Sequence, residues 1–245
     1  MNWIKVSSMR LGVSRLRPGL AMAVAVITLL ALGASVAQAD WWKFGRKSLR
    51  ESGNIVTQTF ELSDFNAVTL KSIADVEIRF GSDFTVEVEA DEVYVDLMDL
   101  KVKRRNLTID MDDDDLFNFD LRSGIVVSIT MPQLEDVSLK GIGDLLVRGF
   151  EGQSLEVELS GIGNIEIEGK VDELDATVSG IGDADLRDLE ATRVWATVSG
   201  MGDLKVRATA SVDARVSGFG DIVYYGRPKD IHRSISGFGD ITARR

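Results

Sequence analysis

The chain has no cysteine and a single histidine in 245 residues. Without thiols, no disulfide staples the fold and no cysteine-linked lipid anchors it, so its core must hold it together. With His232 as its one imidazole, no Ser-His-Asp set is supported. His232 lies in "KDIHRSIS" and reads as an outward strand residue. Basic residues are scarce as well: 28 Lys and Arg stand against 39 Asp and Glu, a net charge of −11. Nucleic-acid binding needs a basic footprint and is excluded as an expectation. Docking of the main body on an anionic lipid surface is excluded in the same way. No stretch after the N-terminal region shows a convincing helical period.

Long apolar runs are missing except at the start. Lys5, Arg10, Arg15 and Arg17 precede an apolar run from Leu20 to about Ala34, and "SVAQA" places Ala37 and Ala39 before Asp40. This is the pattern of an export signal, residues 1–39, cleaved ahead of Asp40. The run is short for a membrane span, which takes about 20 apolar residues. An uncleaved anchor is the alternative. Cleavage leaves about 206 residues with 24 bases against 39 acids, a net of −15. That length is enough for one self-sufficient core.

What the chain has in abundance is a repeat. "KGIGD" at 140–144 is followed by "SGIGN" at 160–164, "SGIGD" at 179–183 and "SGMGD" at 199–203. "SGFGD" then occurs at 217–221 and at 236–240, and "KSIAD" at 71–75 is a worn copy. The fifth positions are separated by 20, 19, 20, 18 and 19 residues. The flanks alternate with period two, which marks strands. Leu155, Val157 and Leu159 share one face and Glu156 and Glu158 the other; Ile165 and Ile167 then resume the apolar phase. Such short units bury an apolar face only by stacking. The expected fold is all-β: a parallel β-helix, or β-solenoid, with coils of about 19 residues. A β-sandwich and a β-prism-like stack of hairpins are the runners-up, and the regular period disfavours the sandwich. The glycines are expected to let the chain bend at a corner without a side chain clashing inside it.

The stretches "ITMPQLEDVSLKGIGDL" (129–145) and "YYGRPKDIHRSISGFGDI" (224–241), with the run of turns between them, resemble the head GIN domain of putative auto-transporter adhesins. The resemblance extends over about residues 56–243 and includes a β-rich early half, "LKSIADVEIRFGSDFTVEVEADE" (70–92). It implies an exported bacterial β-solenoid with an adhesin-like role. The division expected is signal 1–39, linker or N-terminal cap 40–55, and solenoid domain 56–245. With five residues after the last turn, the chain is not expected to carry a membrane barrel of its own.

Several constellations bear on function. The middle turn residues Ile142, Ile162, Ile181, Met201, Phe219 and Phe238 form a ladder. If the strand phase holds through the turn, they face outward as an apolar strip, and such strips mark interaction sites. If the bend inverts the phase, they plug a core corner. The fifth positions form a second ladder of Asp75, Asp144, Asn164, Asp183, Asp203, Asp221 and Asp240. Carboxylates about 4.8 Å apart repel by about 1 kcal/mol in water-like surroundings. Bound Ca²⁺ on Asp144, Asp183, Asp203, Asp221 and Asp240 would relieve this, whereas solvated turn caps need no ion. "DMDDDDLFNFDL" (110–121) reads as a solvated acidic tip or a divalent-cation loop. "DWWKFGRKSLR" (40–50) reads as a cap over the solenoid end, a tail, or a bilayer-interface segment.

The function expected is binding or structural, in the periplasm or at the cell surface, without catalysis and with no cofactor besides that Ca²⁺. An envelope protein, a glycan or a second copy is the expected partner. The alternative is a carboxylate-based hydrolase or lyase acting on polysaccharide, whose site would break the repeat in one place.

Overall fold

The computed structural model describes residues 51–111 and 124–244. The signal region, segment 40–50 and nearly all of the acidic tip lie outside the described residues. The strands run β1 (Ile55–Phe60), β2 (Ala67–Leu70), β3 (Asp75–Phe80), β4 (Thr85–Asp91), β5 (Met98–Lys103), β6 (Asn106–Met111), β7 (Val126–Met131) and β8 (Asp136–Leu139). Then come β9 (Leu145–Leu159), β10 (Ile165–Val178), β11 (Ala184–Val198), β12 (Leu204–Val216), β13 (Ile222–Gly226), β14 (Asp230–Ile235) and β15 (Ile241–Arg244). One helical turn, α1 (Glu92–Val95), follows β4.

The repeat folds as its spacing requires. Leu145, Ile165, Ala184, Leu204, Ile222 and Ile241 stand side by side in parallel register. On a second side the column is Leu155, Leu174, Val194, Val212 and Ile231. The long strands β9 to β12 pass from one side to the other, and the register shifts where they do so. The apolar phase faces inward: Leu155, Val157, Leu159, Leu174, Ala176, Val178, Val194, Ala196 and Val198 are all at most 2 % exposed. Each Leu or Val buried this way contributes about 1.5–3 kcal/mol.

Two ends depart from the uniform coil. At the N-terminal end, β4 pairs antiparallel with β7, β1 with β4, and β5 with β6. The β6–β7 coil also stacks outside the β2–β3 coil that precedes it in the chain. These hairpins complete the stack and cover coil edges that would otherwise template further pairing. At the other end, Ile231 and Ile235 occupy the inward phase of β14 yet are exposed, because no later described coil lies over them. Arg233 takes the place of the alanine column and lies over the Tyr224 ring at 4.9 Å, a cation–π contact.

A buried carboxylate fixes the start of the domain. Asp91 caps α1 by accepting the Val93 N–H at 3.1 Å, and it also accepts the Gly53 N–H at 2.7 Å and the Ser52 hydroxyl. Burial pushes its pKa up, but the bonds from Val93, Ser52 and Gly53 outweigh burial and hold it below the usual range. Asp91→Ala strands these donors. It is expected to lower the melting temperature and speed hydrogen exchange in β1, with the wild-type difference fading at low pH once Asp91 itself is protonated. Unchanged exchange in β1 would refute this role.

Candidate functional site

The six turn residues face outward. Ile142, Ile162, Ile181, Met201, Phe219 and Phe238 are 39, 49, 47, 52, 60 and 74 % exposed, which decides against the core-corner alternative. They bridge rung to rung in parallel, with Ile73 ahead of Ile142, and the last two stack face to face at 5.1 Å.

The backbone beneath the strip is fully engaged. Ile181 donates its N–H to the Gly161 carbonyl at 2.9 Å, and Gly182 donates to the Met201 carbonyl at 3.0 Å, so one rung bonds both neighbours. The turn glycines serve this close approach. A Cβ on Gly163, where φ is +144°, would lie 1.8 Å from the Gly143 carbonyl oxygen. The expected clash inside the corner is therefore corrected: the obstacle is the neighbouring coil's backbone.

The Asp ladder is stapled in the same manner. The Asp203 N–H donates to Asp183 Oδ1 at 2.8 Å, Asp221 to Asp203 at 2.9 Å and Asp240 to Asp221 at 2.7 Å. Asn164 donates from both its backbone and its side chain to Asp144 Oδ1, each at 2.9 Å. Each bond offsets part of the like-charge repulsion. Among the described residues, no three acidic or imidazole side chains gather as a metal ion would require.

One side of the strip is a groove of about 390 Å³. Ile73, Ile142, Ile162, Ile181 and Met201 form one wall; Lys71, Lys140, Ser160 and Ser179 form the other. The lysines replace serine at the first turn position, a signal present in the sequence and passed over. Lys140 pairs with Glu158 at 2.8 Å. This contact leads the causes that hold the Glu158 pKa below its usual range.

A second groove, of about 600 Å³, lies on the second side of the coils. There Asp136, Glu156, Asp175 and Trp195 form one column across four coils. Burial, then the charges of Glu156 and Glu158, push the Asp136 carboxyl up to about 6. Between its ordinary 3.8 and about 6, the unfolded chain releases a proton that the folded chain keeps, so stability falls as pH rises through that window. Asp136→Asn is expected to stabilise the protein by about 1–2 kcal/mol at neutral pH, discounted for partial exposure. Below pH of about 3.8 the gain should vanish. Urea unfolding on both sides of the window measures it, and equal gains in both conditions would refute the charge argument. His232 lies exposed on β14, as expected of an outward strand residue.

The family model for the putative auto-transporter adhesin, head GIN domain, matches residues 64–228. The chain belongs to that family. Among solved structures, this head GIN chain is similar to a putative adhesin from Bacteroides fragilis NCTC 9343. That match has 24 % identity and a TM-score of 0.69, covering 80 % of this chain and 100 % of the other. A putative lipid binding protein from Parabacteroides distasonis ATCC 8503 matches with 23 % identity and a TM-score of 0.48, covering 80 % and 98 %. The likeness to the first shows the shared fold. No curated protein matches this chain. Among the described residues, no helix of the head GIN domain is long and apolar enough to cross a membrane.

Proposed function

We infer that this head GIN domain is an exported, adhesin-like binding module of the cell envelope that acts through its apolar ladder. The observation that carries the reading is an unbroken row of six large apolar side chains, all 39 % exposed or more, on a backbone held by bonds to both neighbouring rungs. Exposing such a row costs solubility and adds little to the core, and a rigid row loses little entropy on docking. The family's adhesin description and the N-terminal export pattern support the envelope setting. The test is retention of the protein on envelope fragments, compared with a variant carrying Ile181→Ser, Met201→Ser and Phe219→Ser. Retention should be lost, and undiminished retention by a folded variant would end the reading.

A second reading rests on the groove around Asp136. A carboxyl near 6 beside Glu156 is poised as a general acid for polysaccharide cleavage. Release of reducing ends from envelope polysaccharide, abolished by Asp136→Asn, would establish it; no release would exclude it on those substrates.

A further inference from the structure

We propose that the groove beside the ladder takes a linear acidic glycan, a chain of carboxylated sugars lying along the solenoid axis. The proposal rests on the reading of the ladder as a recognition surface and names its ligand.

Charge is the first argument. The chain carries 39 acidic residues, yet among the described residues no carboxylate lines this groove, while Lys71 and Lys140 do. They stand at the first turn position in adjacent rungs, where the later turns carry serine. The Asp ladder occupies the opposite flank of the apolar row, so an anionic ligand meets attraction on one flank only. Glu158 stands behind this side, bonded to Lys140 and to the Ser160 hydroxyl; an ammonium has three donors, so Lys140 keeps donors to spare.

The groove's chemistry is the second argument. One wall is apolar and suits the C–H face of a sugar ring. The other presents serine hydroxyls and lysines, which suit ring hydroxyls and carboxylates. Rungs repeat about every 4.8 Å, close to the advance of one sugar along an extended glycan, so successive sugars meet successive rungs.

Rival occupants fit less well. A peptide added as a strand needs free backbone groups, but the turn N–H groups of Ile162, Gly163, Ile181 and Gly182 are already bonded between rungs. An acyl chain gains most from enclosure, and this groove is open with a polar wall.

The test is calorimetric titration of the purified full chain with hexagalacturonate, with cellohexaose as the neutral counterpart. Hexagalacturonate should bind, weaken with added salt, and weaken at least tenfold in Lys71→Glu/Lys140→Glu. Lys71→Arg/Lys140→Arg should keep the affinity, which separates charge from folding damage. No binding of hexagalacturonate, equal binding of cellohexaose, or unchanged affinity in the glutamate variant would overturn the proposal. Envelope retention is followed in parallel. If the serine-substituted ladder loses retention while hexagalacturonate never binds, the glycan falls and the adhesin reading stands. If that ladder keeps full retention, both fall.

Discussion

Gly182→Ala is expected to remove much of the protein's stability and to lower its melting temperature steeply. The new Cβ would lie 1.8 Å from the Gly163 carbonyl oxygen and 2.8 Å from its carbon. These are backbone atoms of the preceding coil and cannot rotate away. The residue also has a φ of +137°, which a side chain disfavours. Relief requires moving the rung, which breaks the bond from Gly182 to Met201 and the bond from Ile181 to Gly161. A cost above about 4 kcal/mol follows from strain and lost bonds together, against a total stability of about 5–15 kcal/mol for a typical domain. The matched control is Gly149→Ala, where φ is +71° and no atom lies within 4 Å of the added Cβ. That change should cost only about 1 kcal/mol, from the backbone angle alone. Thermal melts followed by circular dichroism compare the two. If Gly182→Ala melts as late as Gly149→Ala, the close stacking of turns does not govern stability.

Register was the part of the fold most legible in the sequence. A repeat of 18 to 20 residues with alternating flanks leaves parallel stacking as the arrangement that buries every apolar phase. The direction of the ladder was not legible, because alternation says nothing about phase across two glycines. It is settled by the exposure of Ile162 and its counterparts, which bridge rung to rung on the outside of the coils. The β5–β6 hairpin was hidden for another reason. Its two-residue loop, Arg104 and Arg105, takes φ values of 52° and 64°, and such loops usually announce themselves with Asn or Gly. Asp136 illustrates a signal that needed the register first. Nothing beside it in the chain marks it, but one coil of 20 residues onward stands Glu156, and that neighbour helps raise its pKa. The Asp ladder was visible as stacked like charges. What the sequence hid was the backbone N–H that each of Asp144, Asp183, Asp203 and Asp221 accepts from the following rung.

Replacing Ile181, Met201 and Phe219 with serine is expected to cut envelope retention at least a hundredfold while the domain stays folded. Two tenfold steps need about 2.8 kcal/mol, and removing three apolar anchors from an interface commonly exceeds that. The folding cost of each substitution is smaller, because these side chains are 47, 52 and 60 % exposed in the native state. Each recovers about half its hydrophobic contribution on folding, near 1 kcal/mol. Phe219 adds its stacking on Phe238 at 5.1 Å, about 0.5–1.5 kcal/mol. A core position sets the comparison: Leu186 is fully buried, and Leu186→Ala alone should cost about 2–5 kcal/mol. At Ile181 and Met201 the ladder therefore holds less stability than the core by a factor of two or more. That ratio separates display from structure. If single ladder substitutions cost as much as Leu186→Ala, the row exists to bind one coil to the next, and its exposure is incidental. If they cost little and retention collapses, the repeated turn is there to hold apolar side chains in a straight row for a partner.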